Sequence, residues 1–311
     1  MLPEPHRKPS WLAEFLASAA VLSGVGYLLT AYTISRWLTR PSRGVPRPGP
    51  VDASWHWEDV ECYTTDGHRL AGWIVTPPEA RGTVVLFHGL RQSRTQTLPR
   101  IALLAGAGYR CVAFDHRANG QSSGRLSSFG YHERLDVAAV LDFVEKRWPP
   151  QRLAALGISM GAAALCFAAP RLQRVNACIL ESLYYDVASA FGNRIGSKFP
   201  AWFRRFSRGV IWVTQRRLKV RLAQLAPADH IAQLAPVPIL LVTGSADRHA
   251  TPADAARLFQ RCAGPRQLAL IEGADHINLC QRGGEQYRDL VLAFLRQHLE
   301  AGPPPQLTGF C

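Results

Sequence analysis

Gly157-Ile158-Ser159-Met160-Gly161 sets a serine between two glycines, entered from the apolar run Arg152-Leu153-Ala154-Ala155-Leu156 and left through Ala162-Ala163-Ala164-Leu165-Cys166-Phe167. A serine at a tight strand-to-helix turn is presented as a nucleophile on a strained backbone, and only small residues two positions before and after it let strand and helix pass. Gly157 and Gly161 meet that requirement. An ordinary Gly/Ser turn has the same composition, so the reading stands or falls on partners elsewhere in the chain. Serine attacks poorly at neutral pH unless a base takes its proton, a carboxylate orients that base, and backbone donors receive the oxyanion.

Each partner has a candidate. The apolar run from Val237 to Val242 leads into Gly244-Ser245-Ala246-Asp247, and the run from Gln267 to Ile271 leads into Glu272-Gly273-Ala274-Asp275-His276. Asp247 is the candidate acid and His276 the candidate base. Asp275, Glu181 and Asp186 compete for the first role. For the second, His88 reads as a structural residue and His249 lies too close behind Asp247 to be aimed by it. His116, His132, His230 and His298 fall in turns or helices that suit solvated or capping roles. Val84-Val85-Leu86-Phe87 runs into His88-Gly89-Leu90, a loop placed to supply one oxyanion donor, so the backbone N–H groups of Leu90 and Met160 are the candidate pair. Cys280 reads as a packed thiol. This chemistry calls for no metal and no cofactor.

These loops need a scaffold that brings strand ends together. Strand patterns fall near 57–64, 69–76, 82–87, 109–114, 152–157, 176–180, 237–243 and 267–271, eight in all. Thr65-Asp66-Gly67-His68 between the first two signals a hairpin, whereas helical stretches such as 93–106 and 130–147 separate later ones. The pattern predicts an α/β fold: a mostly parallel eight-stranded sheet, antiparallel at its start, with helices on both faces. Sites in such sheets collect at the carboxyl ends of strands.

The order Ser159, Asp247, His276 is that of an α/β-hydrolase. With His88-Gly89, Asp115-His116-Arg117-Ala118-Asn119-Gly120-Gln121-Ser122-Ser123-Gly124, Gly244-Ser245-Ala246-Asp247 and Gly273-Ala274-Asp275-His276, the chain resembles that superfamily over residues 55–300, specifically its Bem46-like and serine-aminopeptidase-like branch. The resemblance implies a serine hydrolase with a helical cap between the sixth and seventh strands. One departure is Ala118, where glycine normally stands; it touches a structural turn and leaves the three catalytic candidates intact.

Composition adds where the chain works. At 311 residues, 47% hydrophobic and 19% charged, it can bury a large core. Seven cysteines, of which Cys111, Cys166 and Cys178 lie in apolar segments, suit buried thiols better than a disulfide framework. After an N-terminal tail over 1–14, the 20 residues from Phe15 to Ile34 carry no charge, about 30 Å if helical, which matches a bilayer core. Residues 15–35 are expected to be a single-pass transmembrane helix, with Trp11, Tyr32 and Trp37 at its ends. The rival is a signal peptide cut at Ala17-Ser18-Ala19, which would leave most of the apolar run attached. Arg36, Arg40, Arg43 and Arg47 against Arg7 and Lys8 favour a cytoplasmic catalytic domain. Residues 36–54, with Pro41, Pro46, Pro48 and Pro50, are expected to form a stiff linker, and 301–311 a disordered tail.

The formal charge is +13, but the excess is arginine, and no recognition module accompanies it, so nucleic acid is not an expected partner. Its placement is informative. The expected cap, 187–230, carries nine basic residues and no acidic one between Val187 and Ala228, interleaved with Phe191, Phe199, Trp202, Phe203, Phe206 and Trp212. Beside an anchor, that mixture suits an anionic lipid surface. The sequence thus reads as a membrane-tethered serine hydrolase acting on a small-molecule or lipid-like ester or thioester. A serine peptidase of the same fold and a non-catalytic scaffold are the alternatives.

Overall fold

The computed structural model describes residues 10–44, 52, 54–148, 152–195 and 201–300. Two compact units emerge. One holds the amino-terminal helix and residues 199–220; the other holds residues 40–198 and 221–311.

The larger unit is built on eight strands: β1 (His56–Tyr63), β2 (Arg69–Thr76), β3 (Thr83–Phe87), β4 (Arg110–Phe114), β5 (Leu153–Ile158), β6 (Ala177–Glu181), β7 (Ile239–Gly244) and β8 (Arg266–Ile271). Their order across the sheet is β8-β7-β6-β5-β3-β4-β2-β1. β2 pairs antiparallel with both β1 and β4, and all other neighbours are parallel. Sequence dictates this division. β3, β5, β6 and β7 are largely apolar and buried along their whole length, as strands covered on both faces must be, with polar Thr83, Glu181 and Thr243 near their ends. β1 instead turns only Val60 and Cys62 inward and leaves their neighbours to solvent, the two-residue alternation of an edge hairpin. That hairpin closes at Gly67, whose φ of 82° only glycine adopts freely.

Around the sheet lie α2 (Leu98–Gly106), α3 (Arg134–Arg147), α4 (Met160–Phe167), the one-turn α5 (Ala169–Leu172), α6 (Val187–Ile195), α8 (Pro252–Arg261) and α9 (Leu279–Leu295). Leu156 and Ile158 join a buried cluster with Ile101 and Leu104 of α2 and Val291 and Phe294 of α9. Gly157, between them, faces α4 instead. Helices therefore cover both faces, by the pleat of β5.

The linker departs from the expected spacer. Ser42 and Arg43 pair in parallel with Asn119 and Gly120, and the Arg43 guanidinium donates to the carbonyls of Ser122 and Gly124. Residues 45–51 and 53, the rest of the proline-rich stretch, lie outside the described residues, as do 1–9 and 301–311 of the two expected tails. Ala118 sits at φ 63°, the left-handed conformation that glycine takes without strain.

In the smaller unit α1 (Ser10–Leu38) packs on α7 (Ala201–Leu218). By length and composition α1 is the one described helix able to cross a membrane. Phe199 and the side chains of Trp202, Phe203 and Phe206 lie outside the described set.

Candidate active site

Ser159 stands where β5 hands over to α4, at φ 53° and ψ −108°. A non-glycine residue is held there only when its surroundings over-determine it. Three things do so. The Ser159 N–H donates to the Glu181 carbonyl of β6 (2.8 Å), and its own carbonyl receives Ala163 N–H in the first turn of α4 (2.9 Å). The flanking glycines allow the close approach: a Cβ at Gly157 would stand 2.5 Å from Ala162 N, and one at Gly161 would collide with the carbonyl oxygen of Phe87.

The loops after β7 and β8 bring two side chains to the serine. His276 Nε2 lies 2.9 Å from Ser159 Oγ, and His276 Nδ1 lies 2.8 Å from Asp247 Oδ2. Asp247 has no exposed side-chain surface, whereas His276 keeps 20% of its own. The other carboxylate oxygen, Asp247 Oδ1, accepts the N–H groups of His249 (2.8 Å) and Ala250 (2.9 Å). These amides fix the carboxylate and offset the cost of burying its charge. Since a carboxylate only accepts, His276 Nδ1 donates to Asp247, and in the neutral imidazole Nε2 is then the acceptor toward the serine hydroxyl.

The competitors are engaged elsewhere. Asp275 Oδ1 accepts the N–H groups of Ile277 and Asn278, a local turn ahead of α9. Asp186 accepts from the Ser189 N–H and hydroxyl at the start of α6. Glu181 is wholly buried and takes the Arg100 guanidinium (2.6 Å) and the Tyr287 hydroxyl. The His249 ring lies against that of His276, centroids 5.0 Å apart. Cys280 is half-buried, and burial raises its thiol pKa although Arg100 pulls it down. His116 differs from expectation: its ring is buried, 3.3 Å from Asp136, because the strand it follows ends deep in the sheet.

His88 proves structural in a specific way. Its Nδ1 donates to the Gly89 carbonyl (2.8 Å) and its Nε2 accepts from His116 N–H (2.9 Å). Burial, with the His116 charge, drives its pKa well below the usual value, so the ring is neutral and its tautomer fixed by these partners. The Gly89 carbonyl also receives Gln92 N–H (3.2 Å). In a trans peptide the carbonyl and the following N–H point opposite ways, so the Leu90 N–H is turned away from that anchored oxygen. Gly89 lies against the elbow, since a Cβ there would come 3.6 Å from Ser159 Cβ. Met160 N–H opens α4 and has no carbonyl behind it within the helix.

Sequence reasoning missed Gln96, whose Oε1 accepts Gly89 N–H (2.7 Å) and pins the second side of this loop. It also missed Glu133, whose buried carboxylate gathers Ser127, Ser128 and Gly130 next to Met160. A single glutamine or glutamate inside a helical approach carries no spacing signature, so neither was visible beforehand.

A mostly parallel eight-stranded sheet with a strained serine after β5 and loops converging from β7 and β8 defines the α/β-hydrolase fold. Residues 78–229 match the serine aminopeptidase S33 family. The chain is 27% identical to YfhR of Escherichia coli over 251 residues, covering 78% of this chain and 81% of that one. It is 24% identical to the bem46 protein of Schizosaccharomyces pombe over 300 residues, with 91% and 92% covered. The Pyrococcus furiosus esterase Pf2001 superposes with a TM-score of 0.70 at 23% identity, covering 84% of this chain and 98% of that structure. By these likenesses the chain carries the α/β-hydrolase fold and is similar to serine aminopeptidase-like and Bem46-like proteins.

Proposed function

We propose that this hydrolase is a membrane-tethered serine esterase or thioesterase that works through a covalent acyl-Ser159. The observation that carries the reading is the line of two hydrogen bonds from Ser159 Oγ through the His276 ring to Asp247. In the proposed cycle Ser159 Oγ attacks the acyl carbon while His276 Nε2 takes its proton. Leu90 and Met160 N–H groups receive the oxyanion. His276 then returns the proton to the leaving group, and water, deprotonated by the same nitrogen, releases the acid. Asp247 holds the imidazole in the accepting tautomer and stabilises its cation. No metal or cofactor has a step in this cycle.

The tether in this reading is the apolar stretch of α1, with residues 55–300 as the catalytic domain on the cytoplasmic face and 187–230 as its membrane-facing insert. The basic and aromatic content of that insert supports a lipid-like acyl substrate over nucleic acid. A fluorophosphonate probe is expected to label the protein and to fail on Ser159→Ala. Equal labelling of both would remove Ser159 from the chemistry, and no labelling of the folded parent would favour a scaffold. The family match over 78–229 favours a second reading, a serine peptidase. p-Nitrophenyl esters of increasing chain length, set against aminoacyl amides, separate the two.

A further inference from the structure

Helix α7 lies inside the hydrolase part of the chain yet packs with α1, whose contacting residues lie 178 to 182 positions earlier, in one compact unit. The pairing is specific. Ala31 of α1 and Val210 and Val213 of α7 are buried together, with Ile34 and Leu38 against them. Gly209 leaves room for the Tyr27 ring, since a Cβ there would collide with the Tyr27 hydroxyl. Eight residues further along each helix, Arg217 Nη1 donates to Ser35 Oγ (2.8 Å) and Thr39 Oγ1 (3.0 Å), and its guanidinium lies 5.3 Å from the Tyr32 ring centre. Tyr27 meets Gly209 and Ser35 meets Arg217, so the two helices run in the same direction.

Ser35 and Thr39 have no exposed surface. They lie one turn apart, Ser35 in the last turns of α1 and Thr39 just beyond it, and a cation from α7 bonds to both, whereas the Ser23, Thr30 and Thr33 hydroxyls turn back to carbonyls of their own helix. Among the described residues no carboxylate pairs with the Arg217 guanidinium, and Arg36 adds a second positive charge beside it, which suits a site facing lipid phosphate. The outer face of the pair fits the same surroundings: Tyr32, Trp37 and Trp212 are exposed, and the Arg216 guanidinium lies 5.4 Å from the Trp212 ring centre. Basic groups stacked on exposed aromatics are interfacial chemistry.

Resting on the tethered-hydrolase reading, we propose that α1 is the docking partner of α7 in the membrane. The anchor thereby holds the hydrolase's insert at the bilayer surface, and the substrate class that depends on this contact is an ester carried in the bilayer. α1 is then both a tether and the part of the molecule that positions the insert.

The pairing is tested without reference to activity. The full chain carrying Ala31→Cys and Val210→Cys, in vesicles of phosphatidylcholine and phosphatidylglycerol, is expected to form an internal disulfide on mild oxidation. Adding Gly209→Leu is expected to suppress it. No crosslink in the first chain, or an equal crosslink in the second, overturns the pairing. Arg217→Ala, which removes two hydrogen bonds from a charged donor, is expected to slow hydrolysis of a vesicle-borne long-chain ester about tenfold, with a soluble acetyl ester cleaved at the parent rate. Equal effects on both esters, or none, overturn the positioning role. A crosslinking chain inactive on both esters and silent to the fluorophosphonate supports the pairing and sinks the hydrolase reading instead.

Discussion

Asp247→Asn separates the proposed acid from its neighbour Asp275 by geometry that the two residues do not share. The asparagine side chain is isosteric, and its carbonyl oxygen can keep the His249 and Ala250 N–H groups that Asp247 Oδ1 now accepts. Its amide nitrogen then faces His276 Nδ1, where the carboxylate oxygen stood at 2.8 Å. An NH₂ group donates, so Nδ1 must accept, and the imidazole proton moves to Nε2. That nitrogen can no longer take the Ser159 proton across 2.9 Å; it donates to the hydroxyl instead. Loss of the base in an otherwise intact site costs about 10⁴-fold in kcat, equivalent to about 5.5 kcal/mol of transition-state stabilisation. Asp275→Asn is the control, because asparagine can accept from Ile277 and Asn278 as aspartate does, and its kcat is expected to stay within about twofold of the parent. The assay is steady-state hydrolysis of a short p-nitrophenyl ester, with thermal unfolding of each variant run in parallel. An Asp247→Asn enzyme within tenfold of the parent, or an Asp275→Asn enzyme equally damaged, would refute the assignment.

Gly161→Ala places a methyl group against the carbonyls of Phe87 and His88. It should destabilise the fold by about 1–3 kcal/mol in denaturant titrations, with fluorophosphonate labelling lost even below the unfolding transition. Arg100→Leu strands the buried Glu181 carboxylate and is expected to cost about 3–5 kcal/mol by the same titration. A smaller loss for Arg100→Leu combined with Glu181→Gln would tie that cost to the unpaired charge. At Asp66, partial burial alone would raise the carboxyl pKa, but hydrogen bonds from Arg117 and Thr64 and the Arg117 charge together hold it well below the ordinary range. A depressed folded-state pKa contributes stability above the unfolded value of about 4, and this is lost as pH falls below it. Unfolding free energy measured from pH 5 downward should therefore decline less steeply in Asp66→Asn; an unchanged slope removes this pair from the acid sensitivity.

The sheet was legible because burial writes itself into composition. Largely apolar runs marked β3, β5, β6 and β7, and alternation marked β1 beside an Asp-Gly turn. The strained turn at Ser159 and the two strand-end loops that meet it were equally readable, since each rests on a residue type that its geometry demands. The supporting layer was not. Gln96, Glu133 and the Arg100–Glu181–Tyr287 group act through side chains that meet partners 3 to 106 residues away, and no residue-type pattern marks such meetings. Nor did the pattern foretell Ser42 and Arg43 pairing with Asn119 and Gly120 within an expected linker. The approach of α1 to α7 was hidden for the same reason: an apolar helix and a basic insert were each visible, but their common register was not.

Strain at Ser159 gives that hidden layer its purpose. A serine at φ 53° will relax unless the strand before it and the helix after it are fixed. Glu181 supplies the restraint twice over: its carbonyl takes Ser159 N–H, while its side chain is clamped by Arg100 of α2 and Tyr287 of α9. A carboxylate buried at the end of β6 would be a poor choice for stability alone, because hydrophobic residues of similar volume commonly serve as well. It is a good choice for rigidity, because it ties two helices to the strand beside Ser159. His88 does the same on the other side of the serine, tying Gly89 to the loop at His116. The elbow is thus held between two buried polar clusters, one fixing the peptide of Ser159 and the other the peptide that faces it.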